Sequence, residues 1–148
     1  MQDMLIDIFK NKIFMTTLFA WIIAQTIKVT IGVINQKRFD FRLFVGTGGM
    51  PSSHAAGASC LATAIGMEYG FSTVYFALAA SFAVVVMFDA QGVRRSSGRQ
   101  ARILNKIMDD IYWKGKIHEG RLRELIGHTP IEVIAGFLLG VTIALLTK

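Results

Sequence analysis

His54 closes the stretch GGMPSSH, and His128 stands four residues ahead of Glu132 in GHTPIEV. Residues four apart share a helix face, so the Glu132 carboxylate can hold the His128 imidazole in one tautomer and raise its basicity. A histidine oriented in this way can serve as a nucleophile or as a general acid or base. The plainer alternative is a pair that only caps a helix. In the other stretch, Pro51 ahead of two serines marks a helix start, with Ser52 as its N-cap, and Gly48 and Gly49 permit close backbone approach. Unpaired N–H groups at such a start attract anions. A bare cap would not need His54 as well.

Cations and further polar groups complete the set. Arg94 and Arg95 follow an apolar run in FDAQGVRR. They read either as membrane anchors or as a guanidinium fork on a phosphate. Asp89 lies at the edge of the same run and calls for a cationic partner. Gln25 and Lys28 share a face of the first apolar stretch, and a lysine about two turns inside such a stretch is costly unless paired, functional or snorkelling. Two imidazoles, a carboxylate, several cations and a helix N-terminus suit phosphate-ester chemistry. That chemistry needs an oriented base, an acid for the leaving oxygen and positive charge around the phosphoryl oxygens. No metal site and no cofactor are expected.

Four apolar stretches have to position these groups: residues 13–34, 52–69, 72–88 and 131–146. The chain is 53% apolar and 18% charged, with a net charge of +6, which argues against an ordinary soluble domain. That balance suits basic loops beside anionic lipid headgroups and no nucleic-acid partner. The single cysteine, Cys60, rules out a disulfide within the chain. The expected fold is therefore an all-α membrane protein. It is a compact bundle of about four transmembrane helices with interfacial amphipathic helices, forming a single membrane domain over residues 1–148. The N-terminal MQDMLIDIFKNK has acids ahead of its apolar run and no small-residue cleavage site, so it reads as a short interfacial helix rather than a signal peptide.

Positive charge gathers in two connectors, one with Lys37, Arg38 and Arg42, the other the basic amphipathic stretch 94–127. The positive-inside rule puts both on the cytoplasmic side and both termini opposite. In the long connector Ile103, Ile107 and Ile111 recur every four residues, as do Leu104, Met108 and Tyr112, which predicts an interfacial helix. With this topology the end of the first helix, the start of the second, the end of the third and the start of the fourth share one membrane face. Lys28, Ser52, Ser53, His54, Asp89, Arg94, Arg95, His128 and Glu132 then converge there, with Gln25 and Gly49 in support. Gly136 and Gly140 form a GxxxG pattern that serves packing inside the bundle or leaves a homodimer open.

Taken together, GGMPSSH, FDAQGVRRSSGRQARILN and LRELIGHTPIEVIAG resemble the divergent branch of the type 2 phosphatidic acid phosphatase superfamily, related to acid phosphatases and vanadium haloperoxidases. The resemblance runs from Gln25 to about Gly140. It matches Pro51, Ser52 and His54 to a Pro-Ser-Gly-His block, with Ser53 in place of glycine. His128 matches the histidine of a later block, with Glu132 where that block has aspartate. The resemblance implies that His128 is phosphorylated and that His54 protonates the leaving group. Leu122 stands where the later block has arginine, between Arg121 and Arg123, and the superfamily's lysine-arginine block is not recognisable; Lys28 and Arg94 or Arg95 stand in for it. The implied function is metal-independent hydrolysis of a lipid phosphate monoester or diphosphate at the cytoplasmic face of a bacterial-type membrane. Two alternatives remain. A cation-dependent lipid headgroup phosphotransferase is suggested by DAQGVR alone, since Asp109 and Asp110 are adjacent rather than spaced as that chemistry requires. A non-catalytic protein that binds anionic lipid would need the basic connector but neither histidine.

Overall fold

The computed structural model describes residues 2–37, 49–91, 100–108 and 128–148, and among them the regular structure is helical throughout. A short α1 (Gln2–Lys10) leads into α2 (Lys12–Gln36). Asn11 separates them and caps α2, its side-chain oxygen accepting from the Phe14 N–H at 3.0 Å. Next come α3 (Ser53–Tyr69) and α4 (Val74–Gln91). Gly70, at φ 97°, ends α3 and donates its N–H to the Gly66 carbonyl, a backbone angle that glycine adopts without strain. Thr73 then opens α4 by accepting from the Phe76 N–H. Residues 100–108 form α5, and α6 runs over Pro130–Leu146.

α3 is the axis of the bundle, packed by α6, α4 and α2, while α2 and α4 do not touch each other. Its sequence, SHAAGASCLATAIGMEY, explains its place: small residues let neighbouring backbones approach closely. Gly136 and Gly140 of α6 lie on the carbonyls of Ser52 and Ala56, where a Cβ would collide with backbone. The Ser59 hydroxyl donates across this contact to the Phe137 carbonyl at 3.1 Å. The glycine pair therefore works inside the chain, as the first of its two expected uses, and is not offered to a second copy.

The outer surface is apolar. Val74, Tyr75, Leu78, Phe82, Val85 and Phe88 of α4 are each more than half exposed. Such a surface belongs in a bilayer, and the protein is a membrane protein. α2 and α4 have the length and apolarity to cross a membrane. At 17 residues each, α3 and α6 are shorter than the roughly 20 residues of a standard span. Of the four expected spans, α2 and α4 are thus long enough to cross, and α3 and α6 fall short of that length. Of these two, α3 lies inside the protein, where small and polar residues are tolerated.

Direction alternates along the chain. The Ser52 N–H donates to the Glu132 carbonyl at 2.9 Å, and the His128 N–H to the Ala90 carbonyl at 3.0 Å. These two bonds bring the starts of α3 and α6 to the end of α4. At the opposite end the start of α2 meets the ends of α3 and α6, around Lys12, Glu68 and Thr147.

Candidate active site

The site is built on the N-terminus of α6. Thr129 is its N-cap and Pro130 its first residue. The Thr129 hydroxyl accepts from the Glu132 N–H at 3.4 Å, and Glu132 Oε2 accepts from the Thr129 N–H at 3.1 Å. This reciprocal pair satisfies two helix-end donors and holds the glutamate side chain back over its own helix start. The same Oε2 accepts from His128 Nδ1 at 3.0 Å. A carboxylate partner fixes the proton on Nδ1 and leaves the Nε2 lone pair for chemistry. His128 is buried at 2% exposure, its backbone N–H tied to the end of α4. One glutamate thus caps the helix and orients the imidazole.

The start of α3 faces this pair. Ser52 is fully buried, its N–H on Glu132 and its hydroxyl accepting from the Ala55 N–H at 3.3 Å. Its N–H braces α3 against α6. Ser53 is also buried, and His54 is exposed one residue further on. The rings of His54 and His128 lie edge to face, 6.5 Å apart between centroids. The third component comes from α2. Gly49, at φ 89°, lies over the Lys28 stem, where an added Cβ would sit 3.0 Å from Cγ. Lys28 and Gln25 are both buried. The glycine loop ahead of α3 therefore packs on the lysine that the sequence marked as out of place. Asp89 stands in the last turn of α4, next to the carbonyl that holds His128.

The Divergent PAP2 family matches residues 9–143. The chain belongs to the divergent PAP2 family. It is also 41% identical over 150 residues to YuiD of Bacillus subtilis (strain 168), described as an uncharacterized membrane protein, with 94% of this chain and 95% of the relative covered. No solved structure matches it.

In this divergent PAP2 protein, His54, His128, Glu132, Lys28, Gln25, Gly49, Ser52, Ser53 and Asp89 sit at one end of the bundle. Arg94 and Arg95 lie outside the described residues, as do Asp109, Asp110 and the Gly92–Arg94 part of DAQGVR. Two polar residues held by the structure escaped the sequence reading, Thr129 at the site and Asn105 on α5. Thr129 carried a signal, the Thr-x-x-Glu spacing of a capping box. Asn105 carried none: it is buried on α5 while Ile103, Leu104 and Ile107 are exposed. Among the described residues no three His, Cys, Asp or Glu side chains are placed to hold a metal ion.

Proposed function

We propose that the protein hydrolyses a lipid phosphate through a phosphohistidine at His128. The observation that carries this reading is the Glu132–His128 bond, which leaves Nε2 as a lone-pair nucleophile on a ring 6.5 Å from that of a second histidine. His128 Nε2 attacks phosphorus, the P–O bond to the lipid alcohol breaks, and His54 in its acid form protonates the leaving oxygen. The Glu132 carboxylate balances the charge that the ring gains. Water then attacks the phosphohistidine, His54 takes the water's proton, the P–N bond breaks, and phosphate departs.

Lys28 supplies positive charge beside the Gly49 loop, with Arg94 and Arg95 as further candidates. The N–H groups of the first turn of α3 point the same way as its dipole and favour the phosphoryl oxygens. The site lies at an end of an apolar bundle, at headgroup depth. The basic connectors put that end at the cytoplasmic face of the membrane in this reading.

The test is phosphate release in detergent from a panel of lipid phosphates, with EDTA present. The expected result is release from wild type and a loss of about a thousandfold or more in His128→Ala and His54→Ala. Release that requires Mg²⁺, or survives without both histidines, would replace this mechanism with the phosphotransferase reading.

A further inference from the structure

α3 is enclosed on three sides. Gly136 and Gly140 of α6 lie against Ser52, Ala56 and Ser59. α2 covers a second side around Cys60 and Ala64, with Trp21 against Gly57. α4 covers a third through Ala58 and Ala62. His54, Leu61 and Ile65 fall on the fourth side, within an arc of about 40° at 3.6 residues per turn. Because α2 and α4 do not touch, that fourth side is the floor of a groove whose walls are two lipid-facing helices.

Further along the same side of α3, away from the histidines, lies a cavity. Its volume is about 690 Å³, and it is lined by Phe14, Thr17, Leu61, Ile65, Tyr69 and Tyr75 among others. That volume falls within the roughly 300–1,000 Å³ of small-molecule sites. The Tyr69 and Tyr75 rings, 5.6 Å apart, close its far end. At about 1.5 Å per residue, Ile65 lies about 16 Å along α3 from His54, and Tyr69 about 22 Å. One leaflet of a hydrocarbon core about 30 Å thick is about 15 Å deep. A lipid whose phosphate meets His54 and whose tail follows α3 therefore ends in this cavity.

We infer that the groove holds the hydrocarbon tail of the substrate lipid, so that the cavity reads chain length while the two histidines handle the phosphate. The inference rests on the proposed reaction for its headgroup end. Its own support is separate: a mostly apolar cavity, side walls open to the bilayer, and one helix face continuous from that cavity to His54. A water-soluble ester would leave the cavity unused. Turnover should rise with tail length until the tail reaches the Ile65–Tyr69 level, then level off.

The experiment uses the full chain in phosphatidylcholine vesicles with a phosphonate analogue of phosphatidic acid that carries a diazirine at the end of its acyl chain. After irradiation, labelled residues are mapped by mass spectrometry. Label concentrated on Phe14, Leu61, Ile65 and Tyr75, and displaced by excess unlabelled analogue, supports the groove. Label spread over outward residues such as Phe88, Ile134 and Leu138 overturns it. In parallel, Leu61→Trp and Ile65→Trp should lower kcat/KM for dipalmitoyl phosphatidic acid about tenfold and leave the dihexanoyl substrate unchanged, since the lost energy is that of tail burial. Equal losses on both substrates count against the groove. Groove labelling by a protein that releases no phosphate would keep the tail site and sink the proposed reaction. Release indifferent to chain length, with scattered label, would do the reverse.

Discussion

α3 and α4 follow one another, differ by one residue in length, and are opposites. Nine residues of α3 are buried, among them serines, glycines and a cysteine, whereas α4 buries only Ala79, Ala83 and Ala90 and turns its bulky side chains outward. In a soluble domain the large apolar residues would be inside. Here the surrounding solvent is as apolar as leucine, so large side chains gain little by leaving it. Close packing and interhelical hydrogen bonds decide which helix is central, and these require small residues. The central helix can also start with buried serines, because neighbouring helices shield them and α6 bonds the Ser52 N–H. The polar site thus sits at the start of the small-residue helix.

The most damaging way to break this contrast is to enlarge the α3–α6 contact. Gly140→Leu would drive a side chain into the Ala56 carbonyl and the Ser59 hydroxyl. Backbone cannot yield as a flexible side chain does, so a cost of about 3 kcal/mol or more is expected. In detergent the variant should lose its monodisperse elution and its cooperative thermal transition. A stable Gly140→Leu protein would show that α6 does not lean on α3 in this way.

Phe82→Lys tests the outer half of the contrast. Phe82 lies mid-way along α4 and is 55% exposed. If α4 faces lipid, a lysine there opposes membrane insertion by about 2.5–3.5 kcal/mol. The inserted fraction, read by a glycosylation or protease-protection assay, should fall accordingly. On a helix facing water the same change would be close to neutral, so unchanged insertion would remove α4 from the bilayer.

Much of this architecture was legible in advance. Helix length and apolarity marked the long elements, and the all-α class followed. The i, i+4 spacing pointed to the His128–Glu132 bond, and Pro51-Ser52 to the start of α3. The rest depended on contacts between elements. Nothing local says that the Ser52 N–H bonds the Glu132 carbonyl, so its role as a brace emerged only when α3 and α6 were side by side. The helix expected around Ile103, Leu104 and Ile107 is present, but its buried residue is polar Asn105 and its apolar stripe faces outward. A hydrophobic pattern reports an amphipathic helix without saying whether its apolar face meets protein or lipid. The groove beside α3 was equally hidden, because it exists only where two helices fail to meet.

The subtlest test separates the two roles of Glu132. Its carboxylate caps α6 through Thr129 and orients His128. Glutamine also serves at that capping position, so Glu132→Gln should keep the helix start within about 1 kcal/mol of wild type. The neutral amide cannot balance a charged imidazole, and its oxygen and nitrogen compete for the Nδ1 position. A loss of about 10- to 100-fold in turnover is expected, as for other groups that orient a functional histidine. Glu132→Ala should show that loss together with a lower melting temperature. Equal activity in Glu132→Gln and wild type would reduce the glutamate to a cap, and the contrast between the central and outer helices would then be one of packing alone.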